Sequence, residues 1–186
     1  MSETILVTGA SAGFGQAICR RLVADGYRVI GSARRIDKLQ ALQEKLGEAF
    51  YPLQMDVTDL SQVDHALSSL PKDWEKVDVL VNNAGLALGL APAYEAEVAD
   101  WLTMIQTNIV GLTYLTRKIL PQMVERNDGY IINLGSTAGT VPYPGANVYG
   151  ASKAFVKQFS LNLRADLAGK KIRVSNIEPG LCEGTE

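Results

Sequence analysis

Tyr149 and Lys153 stand four residues apart in the run Asn147-Val-Tyr-Gly-Ala-Ser-Lys153. In a helix beginning near Asn147, that spacing puts both side chains on one face, one turn apart. An ammonium held beside a phenol favours the phenolate, which makes Tyr149 a candidate proton donor and acceptor with Lys153 as its electrostatic partner. The preceding run Tyr130-Ile-Ile-Asn-Leu-Gly135 reads as a buried parallel strand ending at Ser136. The Ser136 hydroxyl would then emerge at the strand's carboxyl end, where open α/β sheets keep their ligands. A Tyr and a Lys at helical spacing also arise by chance on solvated faces, so the pair alone defines no site. The segments that must position it carry the rest of the evidence.

Thr4-Ile-Leu-Val-Thr8 reads as a short buried strand, followed by Gly9-Ala-Ser-Ala-Gly13-Phe-Gly15 and the amphipathic run from Gln16 to Ala24. Strand, glycine turn and helix N-terminus come in the order a phosphate site needs. The glycines let the backbone approach a pyrophosphate, and the first-turn N–H groups and helix dipole favour its charge. Gly9, Ser11, Gly13, Phe14 and Gly15 are the candidate contacts, although the spacing G-x3-G-x-G also suits an ordinary tight turn. Arg28 to Ala33 is a second strand that delivers Arg34-Arg35 to the place where a dinucleotide fold meets the adenosine ribose. A carboxylate there suits the 2'-OH of NAD, whereas a 2'-phosphate needs a cation, so the two arginines favour NADP over a merely solvated loop. Asp37 reads instead as an early acid complementing the N-terminus of a helix that runs through Leu46.

Further strands are expected at Phe50 to Met55, Val77 to Val81, Tyr130 to Gly135 and Lys171 to Ile177. Pro52 suits an edge strand. Helices are expected from Leu60 to Leu70, from about Ala96 to Arg126 with an interruption at Pro121, and from Asn147 to about Ala168. This alternation predicts an α/β doubly wound parallel sheet, a Rossmann fold, in which residues 1–186 form a single dinucleotide-binding domain. Asp56-Val57 and Asn82-Asn83-Ala84-Gly85 follow strands directly. Asn108 lies mid-helix, where an asparagine is more often exposed or satisfied in the core than catalytic.

Composition narrows the classes. A net charge of -2 offers no electrostatic reason to expect nucleic acid, and no run reaches the ~18 apolar residues of a membrane span. The start, Met1-Ser-Glu-Thr, lacks the positive charge of a signal peptide and reads as a mature cytoplasmic N-terminus. Cys19 and Cys182 suggest no disulfide framework. The one histidine, His65, falls on an expected surface helix, which leaves neither a zinc site nor a Ser-His-Asp triad.

Taken in order, Thr8-Gly9-x3-Gly13-x-Gly15, Asn82-Asn83-Ala84-Gly85, Asn108, Ser136, Tyr149-x3-Lys153 and Pro179-Gly180 resemble the classical short-chain dehydrogenase/reductases over essentially the whole length. The resemblance implies that Tyr149 is the general acid in reduction and base in oxidation, that Ser136 orients the reacting oxygen, that Lys153 favours the phenolate and binds the nicotinamide ribose, and that Asn108 holds a water relaying protons to Lys153. It also implies that Gly9, Gly13 and Gly15 frame the pyrophosphate, Asp56 and Val57 the adenine, Asn83, Ala84 and Gly85 the adenosine ribose region, and Pro179-Gly180 the nicotinamide face, with Thr185 as a further contact there. Gly13-Phe14-Gly15, Asn83 to Gly89, Gly135 to Gly139 and Ile177 to Glu186 are similar to the bacterial NADP-dependent 3-hydroxy acid (serine and allo-threonine) dehydrogenases. That subgroup interconverts a 3-hydroxy acid with the matching oxo acid or semialdehyde.

Family members usually continue past Pro-Gly through a substrate-covering segment and a seventh strand. The resemblance therefore implies a domain that is incomplete at its C-terminal side, with the sixth strand as an uncovered edge. Dimers or tetramers are common in the family. Trp101, Met104, Ile105, Phe155, Phe159 and Leu163 supply apolar surface that serves either core or partner. Two other readings remain at this stage, a non-catalytic NADP-binding regulator and an inactive fragment.

Overall fold

In the computed structural model, which describes residues 3–89 and 91–180, six parallel strands form one sheet. They are β1 (Thr4–Thr8), β2 (Arg28–Ala33), β3 (Phe50–Gln54), β4 (Val79–Asn82), β5 (Gly129–Leu134) and β6 (Ile172–Ile177), in the order β3-β2-β1-β4-β5-β6. The helices are α1 (Gly13–Ala24), α2 (Ile36–Leu46), α3 (Leu60–Ser68), α4 (Val98–Ile105), α5 (Leu112–Arg126) and α6 (Asn147–Asp166). The expected doubly wound sheet is present, and the strand order reverses between β1 and β4. That reversal opens a crevice at the strands' carboxyl ends.

Each central strand feeds two cores. Leu6, Ile30, Leu80 and Ile131 pack with Val63 of α3, Leu115 and Ile119 of α5, and Leu163 of α6. Ile5, Val7, Val29, Val79 and Val81 pack with Cys19 of α1 and with Leu39 and Leu42 of α2. Both faces of β1 are therefore apolar, which is why it reads as an unbroken run rather than an alternating one. Pro52 lies on β3, an edge strand, as expected. Among the described residues β6 is the other edge, with Ile177 exposed at its end. Thr185 and Cys182 lie outside the described residues.

Two expectations need correction. Helix α1 begins at Gly13 rather than Gln16, with extended Ala12 as N-cap and the Gln16 N–H donating to the Ala12 carbonyl. The glycine turn is thus itself the first helical turn. Pro121 does not interrupt its helix: α5 runs through it, held on the sheet by Leu115, Thr116, Ile119 and Met123, all buried. The departure from α geometry falls earlier, at Gln106–Gly111, a π-helical turn joining α4 to α5. Packing explains its location. The Gln106 side chain donates to the Thr58 carbonyl, and a Cβ on Gly111 would stand 2.7 Å from the Val57 carbonyl oxygen. π-Turns of this kind often serve functional sites, because they re-aim side chains out of helical register.

One polar ladder crosses the interior. Asn82 Nδ2 donates to Thr116 Oγ1 at 3.0 Å and to Asn133 Oδ1 at 2.9 Å, and Asn133 Nδ2 donates to Ser160 Oγ at 2.9 Å. It links α5, β4, β5 and α6 through groups that are all buried. Removing one rung leaves buried partners unsatisfied, so Asn133→Ala is expected to lower the unfolding free energy by about 2 kcal/mol. Equilibrium urea unfolding measures this, and an unchanged midpoint would show that the ladder contributes nothing.

Candidate active site

A cleft of about 320 Å³ opens at the carboxyl ends of β1 to β4. Its wall includes Gly9, Ser11, Gly13 and Phe14 from the first turn, Arg34 and Arg35 after β2, Asp56 and Val57 after β3, and Asn83, Ala84 and Gly85 after β4. Gly9 and Gly13 have positive φ, 68° and 49°, which side-chain-bearing residues rarely adopt. The α1 N-terminus has no acidic residue in its first turn and no side-chain cap, so its unpaired N–H groups remain free to meet an anion.

Gly15 does not line this cleft. A Cβ there would fall 2.1 Å from the Gly9 carbonyl oxygen and 2.6 Å from Asn83 Nδ2. Its contribution is the close packing that shapes the turn, rather than the direct framing expected of it. Asn83 braces the same turn: its Nδ2 donates to the Thr8 carbonyl at 2.8 Å, and the Asn83 and Ala84 N–H groups both donate to Thr8 Oγ1. Asn82, by contrast, points into the interior ladder.

Arg34 and Arg35 are both exposed at the cleft rim. Arg35 Nη2 donates to Ser11 Oγ at 3.1 Å, so the cationic rim and the glycine turn are already in contact. Asp37 lies in the first turn of α2, as expected, and not in the cleft. Asp56 Oδ1 accepts from the N–H and hydroxyl of Thr58, which folds the loop after β3 back on itself. Ser32, Thr58, Leu86 and Thr107 also line the cleft and were not anticipated. Ser32 Oγ is buried without a partner among the described residues. A glycine cradle at an uncapped helix, a cationic rim and an orphaned hydroxyl fit a phosphorylated dinucleotide.

Beyond Gly85, at the end of this cleft, lies the second group of candidates. Lys153 is only 7% exposed, its Nζ donates to the Leu134 carbonyl at 2.8 Å, and it stands 5.8 Å from the centroid of the Tyr149 ring. Burial pulls its pKa down to about 8 from the ordinary 10.5, so it remains mostly protonated at pH 7. A Cβ on Gly85 would come within 3.3 Å of both Lys153 Nζ and Asn108 Oδ1. The glycine therefore lets the cleft wall, the amine and the amide meet.

Asn108 occupies the π-turn and is fully buried. It donates to the Leu86 carbonyl and to Ser152 Oγ, and accepts from the Leu86 N–H, each at 2.9 to 3.0 Å. Ser136 caps a short turn, Thr137–Gly139, by accepting from the Ala138 N–H at 3.2 Å. This turn rests on α6: a Cβ on Gly139 would meet the Lys153 backbone at 2.7 Å, and one on Gly150 the Ala138 carbonyl oxygen at 2.8 Å. Pro179 adjoins it, accepting from the Thr137 N–H at 3.0 Å, with Gly180 next in sequence. Neither Pro179 nor Gly180 lines the cleft itself. Ser136, Tyr149, Lys153 and Asn108, scattered over some 45 positions, are thus gathered by β5, α6 and the π-turn.

A family model for short chain dehydrogenases matches residues 3–186. A "Probable NADP-dependent dehydrogenase" of Haemophilus influenzae is 62% identical over 185 residues, 100% of this chain and 73% of that protein. An NADP-dependent 3-hydroxy acid dehydrogenase of Salmonella typhi is 60% identical over 182 residues, 98% of this chain and 73% of that protein. Among solved structures, the closed form of a serine dehydrogenase complexed with NADP+ superposes with a TM-score of 0.97 at 58% identity, over 98% of this chain and 74% of that one.

The buried amine gives a pH signature. Below about pH 8, folded and unfolded chains both hold the Lys153 proton; between about 8 and 10.5 the unfolded chain holds more, so stability rises with pH across that window. The gain attributable to Lys153 is on the order of 3 kcal/mol. Cys19 works in the opposite direction, since burial raises its thiol to about 12 and stability falls as pH climbs above 9.0. Subtracting the unfolding free energies of Lys153→Met from those of the wild type, measured in urea from pH 7 to 10, isolates the lysine. A flat difference would contradict its burial as the ammonium.

Proposed function

The chain belongs to the short-chain dehydrogenase family and is an NADP-dependent oxidoreductase; we propose that it interconverts a small 3-hydroxy acid, serine or allo-threonine, with the matching semialdehyde or oxo acid. The observation that carries this reading is a buried lysine ammonium beside the Tyr149 ring, at the end of a glycine-cradled cleft. The substrate class is supported by what the relatives are named for.

In the proposed mechanism, Gly9, Gly13 and the first N–H groups of α1 would hold a pyrophosphate, and Arg34 and Arg35 would meet the 2'-phosphate. Asp56 and Val57 would border the adenine, and Asn83 to Gly85 the ribose. Lys153 would hold the nicotinamide ribose, with Pro179 and Gly180 on the nicotinamide side. When bound, NADP(H) supplies or accepts the hydride. Tyr149 gives its phenolic proton to the substrate oxygen during reduction and takes it back during oxidation, while Ser136 donates a hydrogen bond to that oxygen. The Lys153 ammonium, in a poorly solvated position, stabilises the phenolate that results. Asn108 has both amide hydrogens committed to Leu86 and Ser152, so only its oxygens are left to hold a water that passes protons to Lys153.

Self-association belongs to the same proposal. Met104 and Leu163 are buried in the core, but Val98, Leu102 and Ile105 on α4 and Phe155 and Leu161 on α6 are exposed. These support a homodimer or homotetramer formed through the two helices. A cytoplasmic setting accords with Cys19, a free and buried thiol. No helix among the described residues is long and apolar enough to cross a membrane.

Two experiments test this reading. Tyr149→Phe is expected to bind NADPH normally and to lose roughly 10³-fold in turnover, followed as NADPH oxidation with a panel of 3-oxo acids and semialdehydes; wild-type turnover would remove Tyr149 from the chemistry. By titration calorimetry, NADP should bind at least roughly tenfold more tightly than NAD, a preference that Arg34→Ala with Arg35→Ala erases. Equal affinities in the wild type would remove the arginines from cofactor choice.

A further inference from the structure

We propose that Ser152 is a positioning residue for the Tyr149–Lys153 pair, coupling the Leu86 segment to the helical turn that carries both. Its hydroxyl is fully buried and makes two hydrogen bonds, accepting from Asn108 Nδ2 at 3.0 Å and donating to the Tyr149 carbonyl at 2.7 Å. The second bond alone would be unremarked, since serines commonly back-bond within helices. The first makes Ser152 the point where the Asn108 clasp meets α6.

The clasp has little slack. Asn108 uses one amide hydrogen and its oxygen on the two backbone groups of Leu86, and the other amide hydrogen on Ser152. Deleting the Ser152 hydroxyl leaves a buried N–H without an acceptor, a cost the protein relieves by turning the amide or admitting water. Either response disturbs the ground beside Gly85, where Asn108 Oδ1 and Lys153 Nζ both come within 3.3 Å of the missing Cβ position. The amine then loses a defined neighbour and part of its enclosure. The carbonyl of Tyr149 also loses one of its donors, at the residue whose phenol must be aimed. Ser152 touches neither substrate nor cofactor in this account and acts through Asn108, Tyr149 and Lys153.

This inference rests on the proposed roles of Tyr149 and Lys153, and the test separates the two. In the full chain, Ser152→Ala is expected to lower kcat for NADPH oxidation by roughly 10- to 100-fold, as misplaced catalytic groups do, with the KM for NADPH within about threefold of wild type. Independently of turnover, amide exchange at Leu86 in the protein without added nucleotide should quicken by at least roughly tenfold, because its acceptor is Asn108. Ser152→Thr, which keeps the hydroxyl, should recover both. If Ser152→Ala does not fold, Ser152→Cys, a weak donor of nearly the same volume, takes its place. Wild-type kcat together with unchanged Leu86 exchange would overturn the proposal, as would parallel losses of kcat and NADPH affinity that threonine fails to repair. A wild-type protein that oxidises no NADPH would instead strike at the proposed function and leave the exchange measurement to judge Ser152.

Discussion

A parallel strand covered on both faces can bring polar chemistry to bear only at its ends, and this constraint shapes the whole site. β1 and β4 are buried at every position, because α1 and α2 cover one face of the sheet and α3, α5 and α6 the other. Backbone groups and short polar side chains therefore gather where the strands stop. Gly9, Ser32, Asp56, Asn83 and Ser136 all stand at or just beyond the carboxyl ends of different strands. The reversal of strand order between β1 and β4 keeps the connecting helices from closing that end, and the cleft occupies the opening.

Burial then determines the character of Lys153. An ammonium with little access to water is destabilised, which appears as a pKa drawn down to about 8. The same poor solvation strengthens its field at the neighbouring phenol, because little water is present to screen it. One backbone carbonyl offsets part of the cost of enclosing this charge. The Leu134 carbonyl accepts from the amine, and Gly85 lets Asn108 approach. A larger residue at position 85 would separate these groups as surely as removing one of them.

The polar groups inside the molecule have two different duties. The Asn82–Asn133–Ser160 ladder ties strands to helices in the interior beneath the cleft and is complete within itself. The π-turn works on both sides of the cleft at once: Gln106 and Gly111 engage the loop after β3, Thr107 lines the wall, and Asn108 grips the loop after β4. A regular α-helix would have turned these consecutive side chains through 100° steps. The extra residue in the turn redistributes them, which places the irregularity where several elements converge.

From sequence alone, the order of strands and helices, the glycine turn, the arginine pair and the Tyr149–Lys153 spacing were all legible, because each is a local pattern whose period or composition reflects its own conformation. Pro52 on an edge strand and Asp37 at a helix start were legible for the same reason. Only the tertiary structure decided that Gly15 supports the turn from behind, that α5 survives Pro121, and that Asn108 sits in a π-turn bound to Leu86 and Ser152. Those outcomes depend on contacts that include residues 22 and 74 positions apart, Asn108 with Leu86 and Asn83 with Gly9. Propensity and periodicity describe a segment's preference for its own shape, and they are silent about which distant backbone will press against a glycine or take an amide's last hydrogen.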